Sequence, residues 1–179
     1  MMVGGQTPVV HACIPIFDAL APVDGWVHTG PPGSGHFTKM VHNGIEYGLM
    51  EAYAEGFEVL HKAPFPLNLA DIATVWNRGS VVRSWLLELS ERVFKAEGDL
   101  RGVAPFVVDS GEGQWTVQAA MEEAVPAPVI SAALFARYAS RDPENFSARY
   151  LAALRNQFGG HEIKRTRERK IAASGEVKG

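Results

Sequence analysis

GSGHFTKMVHNGIEYGLMEAY, residues 33–53, contains Lys39, His42, Asn43, Glu46 and Tyr47 within nine positions. No proline occurs from His36 to Leu60 and strong helix formers dominate, so the run predicts one long helix from His36 to about Leu60 that tolerates Gly44, Gly48 and Gly56. At about 100° per residue, the five polar side chains fall within an arc of about 140°. Val41 and Ile45 face away from that arc, and Gly44 and Gly48 leave room for another backbone to approach. A solvated stripe of ordinary i, i+3 and i, i+4 pairs is one reading. A site is the other, because His-Asn-Gly is poor in helix propensity and Tyr beside it favours partial burial. Geometry alone leaves both open. The Gly-Ser-Gly turn at 33–35 presents free backbone N–H groups at the helix start, with capping by Ser34 as the simpler reading.

Helix punctuation continues on either side. Thr7-Pro8 opens a helix that bends at Pro15 and stops before Pro22. HTGPPGSG (28–35) reads as a loop. Asn68 caps a helix to Arg78, and Ser80 caps another that ends near Ala96. A loop, DLRGVAPFVVDSGEG (99–113), carries at most one short extended piece. WTVQAAMEEA (115–124), PVISAALFARYAS (128–140) and, after the Asp142-Pro143 start signal, ENFSARYLAALRNQF (144–158) complete the helices, the last stopped by Gly159-Gly160. Six or seven helices with no alternating strand pattern predict an all-α fold. No G-x-G-x-x-G follows a predicted strand, so a cofactor domain is expected outside this chain. KRTRERK (164–170) lacks an apolar face and reads as a solvated helix end or loose tail.

At 179 residues one well-buried domain is expected. A composition of 46% hydrophobic and 21% charged residues with a net charge of −3 gives no reason to expect nucleic acid as a partner. The single cysteine, Cys13, cannot form an intrachain disulfide, so a reducing compartment, the cytoplasm, is expected. No apolar run approaches the ~20 residues that span a bilayer, and the start lacks a signal-peptide pattern, so no membrane association is expected.

GHFTKMVHNGIEY (35–47) resembles the signature of 6-phosphogluconate dehydrogenase, the decarboxylating enzyme of the pentose phosphate pathway. The resemblance extends to about residue 165. MMVGG and PIFDALAP are similar to the family's passage from the end of its Rossmann domain into a linking helix. WNRGSVVRSWLLEL, SGEGQWT, LFARYASR and RNQFGGH are similar to stretches of its all-helical C-terminal domain. SGEGQWT is closest in form to the shorter, NAD-preferring members. The implied organisation is residues 1–22 as the end of the Rossmann domain and linking helix, 23–165 as an all-α substrate-binding and dimerisation domain built around one long helix, and 166–179 as a basic tail.

The resemblance also implies roles. Lys39 matches the general base and Glu46 the general acid. Taking the C3 hydroxyl proton of 6-phosphogluconate requires a neutral amine, favoured by burial or neighbouring positive charge, and protonation of the resulting enediol requires an acid. His42, Asn43 and Tyr47 match positions that bind the substrate's hydroxyls, carboxylate or phosphate, and Arg137 a phosphate-binding arginine. Arg155 and His161 match an Arg and a His that reach the neighbouring subunit's phosphate, which implies a homodimer with shared active sites. NAD or NADP would be the cofactor, held mainly by a domain not in this chain, with no metal. Ser110 stands where longer members carry a phosphate-binding lysine. Two other classes compete: a related β-hydroxyacid dehydrogenase domain, against which HNGIEY and RNQFGGH argue, and a non-catalytic homodimeric helical module that binds sugar phosphates.

Overall fold

The computed structural model describes residues 1–159 and 162–164. Two short strands, β1 (Met2–Gly4) and β2 (Val27–Gly30), flank α1 (Thr7–Ala12) and α2 (Ile14–Leu20). Then follow α3 (Ser34–His61), α4 (Leu69–Gly79), α5 (Trp85–Glu97), α6 (Glu112–Glu122), α7 (Pro128–Ser140) and α8 (Phe146–Gly159). The all-α class expected from the sequence holds. Its eight helices among the described residues exceed the expected six or seven because the first run breaks at Cys13, whose N–H turns back to Val10 O just ahead of Pro15. No helix among the described residues is long and apolar enough to cross a membrane.

The chain forms two compact units, Met1–Arg141 and a second that begins at Asp142. In the second, the Asp142 carboxylate accepts from the N–H groups of Glu144 and Asn145, which fixes the turn into α8, and the Asn145 amide oxygen accepts from Ala148 N–H in the helix's first turn.

In the first unit α3 is the spine. It has 28 residues, about 42 Å at 1.5 Å per residue. Its C-terminal half packs Phe57 against Ala73 of α4 and Leu87 of α5, the last two fully buried. Phe94 and Trp76 close on the Phe57 ring at centroid distances of 4.8 and 5.8 Å. Its N-terminal half packs Tyr47 against Ala133 and Leu134 of α7 with Val117 of α6 alongside. One continuous hydrogen-bonded rod therefore carries two separate apolar clusters.

Three local expectations need correction. The segment 28–35 is not all loop: β2 pairs in parallel with β1, with Met2 opposite Val27 and Val3 opposite His28. Strands of three and four residues carry no readable alternation, and side chains add to the pairing through Thr29 Oγ1 to Val3 O (3.1 Å). Ser34 does not cap α3. Gly33, at φ 94°, occupies the cap position, and the Ser34 hydroxyl pairs with Thr29 Oγ1 at 2.9 Å. Ser84, not Ser80, caps α5, accepting from Leu87 N–H at 3.1 Å. Ser80 instead closes α4 by donating to Trp76 O, while Asn77 and Tyr53 hold Ser84 through its N–H and its hydroxyl.

The spine tolerates added bulk unevenly. A Cβ at Gly44 would meet Thr116 Cγ2 at 2.6 Å and Cβ at 2.8 Å, whereas one at Gly56 meets nothing within 4 Å. Gly44→Ala is expected to lower unfolding free energy by about 1–3 kcal/mol. Gly56→Ala is expected to raise it by about 0.5–1 kcal/mol through helix propensity. Urea unfolding of the two variants checks both signs.

Candidate functional site

The polar stripe of α3 stays at the surface of the first unit. Lys39 and His42 are exposed, Asn43 and Glu46 are half-buried, and Tyr47 is buried. Lys39 Nζ donates to Asn43 Oδ1 at 2.6 Å and lies 3.2 Å from His42 Nδ1, which in turn lies 3.1 Å from Asn43 Oδ1. These i+3 and i+4 contacts follow from helical spacing. Glu46 makes no hydrogen bond or ion pair among the described residues.

The face of α3 that enters the core is narrower than its apolar pattern implies. Along the stripe its buried residues are Gly44, Tyr47 and Gly48, while Ile45 and Leu49 remain 53% and 46% exposed. Gly44 admits Thr116 of α6, whose hydroxyl is shared between Met40 O (2.9 Å) and Glu112 O (2.8 Å). Gly113 gives room to the Tyr47 ring, since a Cβ there would collide with it. The first turn of α6 is thereby set against the Lys39 end of the stripe.

That turn carries a residue absent from the sequence-based set, Glu112. The helix was expected to begin at Trp115; Gly111 at φ 99° takes the cap position and starts it at Glu112. The Ser110 hydroxyl donates to Glu112 Oε2 at 2.5 Å, and Asn43 and Lys39 also act on this carboxylate. The Ser110 hydrogen bond, then Glu112's own backbone N–H, then Asn43 and the Lys39 charge hold the Glu112 carboxyl below the usual range, against an opposing cost of desolvation. An acidic residue in the first turn after a glycine cap was the available signal.

Arg137 of α7 stacks its guanidinium 3.7 Å from the Tyr47 ring centroid and donates to Val108 O at 3.2 Å. The segment before α6 is latched to α7 by Asp109–Arg141 at 2.7 Å and by Val107 N–H to Ser140 Oγ at 3.1 Å. Tyr47 Oη accepts from Ser110 N–H at 3.4 Å. Lys39, His42, Asn43, Tyr47, Ser110, Glu112 and Arg137 thus form one contiguous surface. Arg155 lies exposed on α8 in the second unit, and His161 lies outside the described residues. A cavity of about 480 Å³ between α3 and α5, walled by Phe57, Leu86, Leu89 and Phe94, holds none of the stripe residues.

The setting of Lys39 differs from the one its expected chemistry asks for. It is exposed, and its neighbours are an amide oxygen, an imidazole and a carboxylate rather than an apolar wall or a cation. Nor do the described residues fit a dinucleotide. Gly4 ends β1 and Gly5 follows it ahead of α1, but a Cβ at Gly4 would meet Gly35 N at 2.7 Å and Ser34 Oγ at 2.8 Å. The first turn of α3 fills the space that a pyrophosphate would need.

Residues 35–145 match the family model described as 6-phosphogluconate dehydrogenase, C-terminal domain. The chain is 48% identical over 167 residues to an NAD(+)-dependent, decarboxylating 6-phosphogluconate dehydrogenase of Haloferax volcanii, covering 92% of this chain and 56% of that protein. A putative 6-phosphogluconate dehydrogenase of Bacillus subtilis is 46% identical over 160 residues, covering 89% and 54%. Among solved structures, Plasmodium falciparum 6-phosphogluconate dehydrogenase superposes with a TM-score of 0.68 at 27% identity, covering 92% of this chain and 37% of that one. That enzyme is described in its apo form, in complex with its cofactor NADP+ and in complex with its substrate 6-phosphogluconate. The chain spans about half the length of these two curated relatives.

Gly113→Ala, which drives a methyl group into the Tyr47 ring, is expected to cost about 1–3 kcal/mol of stability. Tyr47→Phe keeps the ring and removes only the acceptor for Ser110 N–H, so about 0.5–1.5 kcal/mol is expected. Thermal unfolding followed by circular dichroism ranks the two.

Proposed function

The chain belongs to the 6-phosphogluconate dehydrogenase family, and from that premise we propose that it forms the substrate-binding and proton-transferring helical part of such an enzyme. The reaction is oxidative decarboxylation of 6-phosphogluconate to ribulose 5-phosphate and CO2 with NAD or NADP. The observation that carries the proposal is the pair Lys39 and Glu46 on one face of α3, separated by about 10 Å along the axis, with Arg137 fixed over Tyr47 beside them. That span suits an extended six-carbon acid with a phosphate at its far end.

Oxidation at C3 removes a proton and a hydride. Lys39 accepts the hydroxyl proton, and the resulting ammonium hydrogen-bonds the new C3 carbonyl, drawing electron density as the carboxylate leaves as CO2. Glu46 then protonates C1 of the five-carbon enediol. His42 and Asn43 bind hydroxyl or carboxylate oxygens, and Tyr47 and Arg137 the phosphate end, where guanidinium geometry favours a bidentate contact. Exposure of Lys39 means that its surroundings must become drier when substrate and covering elements close over it.

The nicotinamide cofactor supplies the hydride acceptor, and the residues described do not hold it. β1 and β2 support the proposal that a Rossmann sheet continues from residues 1–22, because parallel strands occur almost only inside larger, doubly covered sheets. Homodimerisation with shared sites is proposed alongside, supported by the exposed apolar side of α3 at Phe37, Ile45 and Leu49. A non-catalytic sugar-phosphate-binding module is the second reading, favoured by the filled space above Gly4.

Calorimetric titration of the chain with 6-phosphogluconate tests the site. Saturable binding is expected, weakened about 10- to 100-fold in Arg137→Ala by the loss of a charged hydrogen-bonding partner. Binding of Arg137→Ala and Lys39→Ala equal to that of the unchanged chain, or no binding at millimolar ligand, would overturn the assignment.

A further inference from the structure

We propose that Asp109 and Arg141 are positioning residues for Arg137: their ion pair latches the segment ahead of α6 onto α7, and that segment holds the Arg137 guanidinium against Tyr47, ready for an anionic ligand. The inference deepens the reading of Arg137 as a phosphate-end residue and rests on it.

Residues 103–110 join α5 to α6 without helix or strand. Val103, Phe106, Val107 and Val108 are all exposed, so apolar burial does not fix this backbone. Bonds involving side chains fix it instead. Val107 N–H donates to Ser140 Oγ at 3.1 Å, and the Ser140 hydroxyl donates onward to Arg137 O at 2.7 Å. Asp109 Oδ2 meets Arg141 Nη2 at 2.7 Å, and Ser110 N–H donates to Tyr47 Oη at 3.4 Å. The Asp109 and Arg141 side chains are 13% and 29% exposed, whereas every other ion pair among the described residues has a partner at least 59% exposed. Solvent and salt therefore screen the Asp109–Arg141 pair least.

The Arg137 guanidinium makes three contacts. It stacks 3.7 Å from the Tyr47 ring centroid, donates from Nη1 to Val108 O at 3.2 Å, and donates from Nη2 to Met50 Sδ at 3.5 Å. Val108 lies between Val107 and Asp109, so the bonds to Ser140 and Arg141 pin it from both sides and aim its carbonyl at Arg137. Charge acts in the same direction. Arg137 and Arg141 are four positions apart, where like charges repel, and the Asp109 carboxylate compensates the second of them. A long arginine side chain loses rotamer freedom when it grips an anion. With the guanidinium held beforehand, that loss falls on folding and not on binding.

The ring-current shift that Tyr47 imposes on the Arg137 side-chain protons reads the position of the guanidinium in the ligand-free full chain. Upfield-displaced Arg137 signals are expected, returning to ordinary arginine positions in Asp109→Asn and in Arg141→Met while circular dichroism shows a folded chain. Arg137 signals that are not displaced in the unchanged chain, or that stay displaced in both variants, would overturn the proposal. If Asp109→Asn does not fold, the same shifts in Arg141→Met decide it.

Calorimetry supplies the second arm. Arg141→Met breaks the latch without freeing a cation that could bind phosphate by itself, and its affinity for 6-phosphogluconate is expected to fall about 2- to 10-fold. In an Arg137→Ala background the same substitution is expected to cause no further loss, because its effect passes through Arg137. An undiminished loss in that background overturns the positioning role. The proton shifts are read without ligand, so failure to bind 6-phosphogluconate contradicts the proposed function and leaves the latch to be decided by the shifts.

Discussion

Thr116 sits in the space left by Gly44, its hydroxyl shared between Met40 O on the long helix and Glu112 O on its own. The backbone contact sets α6 close against α3, and the consequences run in both directions along the pair. Toward the N-terminus, Glu112 and Ser110 come beside Lys39 and Asn43. Toward the C-terminus, Gly113 opens room for Tyr47, whose ring then seats Arg137. A side chain larger than hydrogen at position 44 would meet Thr116 and push α6, with Ser110 and Glu112, away from the Lys39 end of α3. The low helix propensity of glycine at this point is therefore compensated by a contact that no other residue permits.

The division of labour along α3 follows from its length. Its second half inserts Phe57, with Tyr53 and Leu60 alongside, among aromatic and aliphatic side chains of α4 and α5, which stabilise the rod away from the polar surface. Its first half carries the site and is packed by small residues and one tyrosine. Rigidity at one end thus supports side-chain placement at the other, and the cavity beside Phe57 belongs to the supporting end. In the proposed reaction, Asn43 orients Lys39 while Glu46 stays clear of both.

Much of this was legible in the residues. The proline-free run predicted α3 to within two residues of its start and one of its end, because helix formers and flanking prolines act locally. Gly44 and Gly48 were readable as approach points, and Asn68 as a cap, which it is, accepting from Ala70 and Asp71 N–H. What was not legible depended on partners distant in sequence. Ser84 rather than Ser80 caps α5 because Tyr53, 31 positions away, binds its hydroxyl. The placement of Glu112 is likewise set by residues distant in sequence, since Thr116 ties its carbonyl to that of Met40 on the other helix. Exposure of Ile45, on the side away from the polar arc, was not legible either, because hydrophobic periodicity scores side chains whereas this part of α3 buries glycine backbone.

The central claim is that one surface, from Lys39 through Tyr47 to Arg137, binds a sugar phosphate. Backbone and side-chain NMR shifts of the chain on addition of 6-phosphogluconate test it most directly. The account predicts perturbations concentrated at residues 39–47, 110–112 and 137, and none at Phe57, Leu86 or Phe94. Perturbations centred on the apolar cavity beside Phe57, or none at saturating ligand, would contradict it.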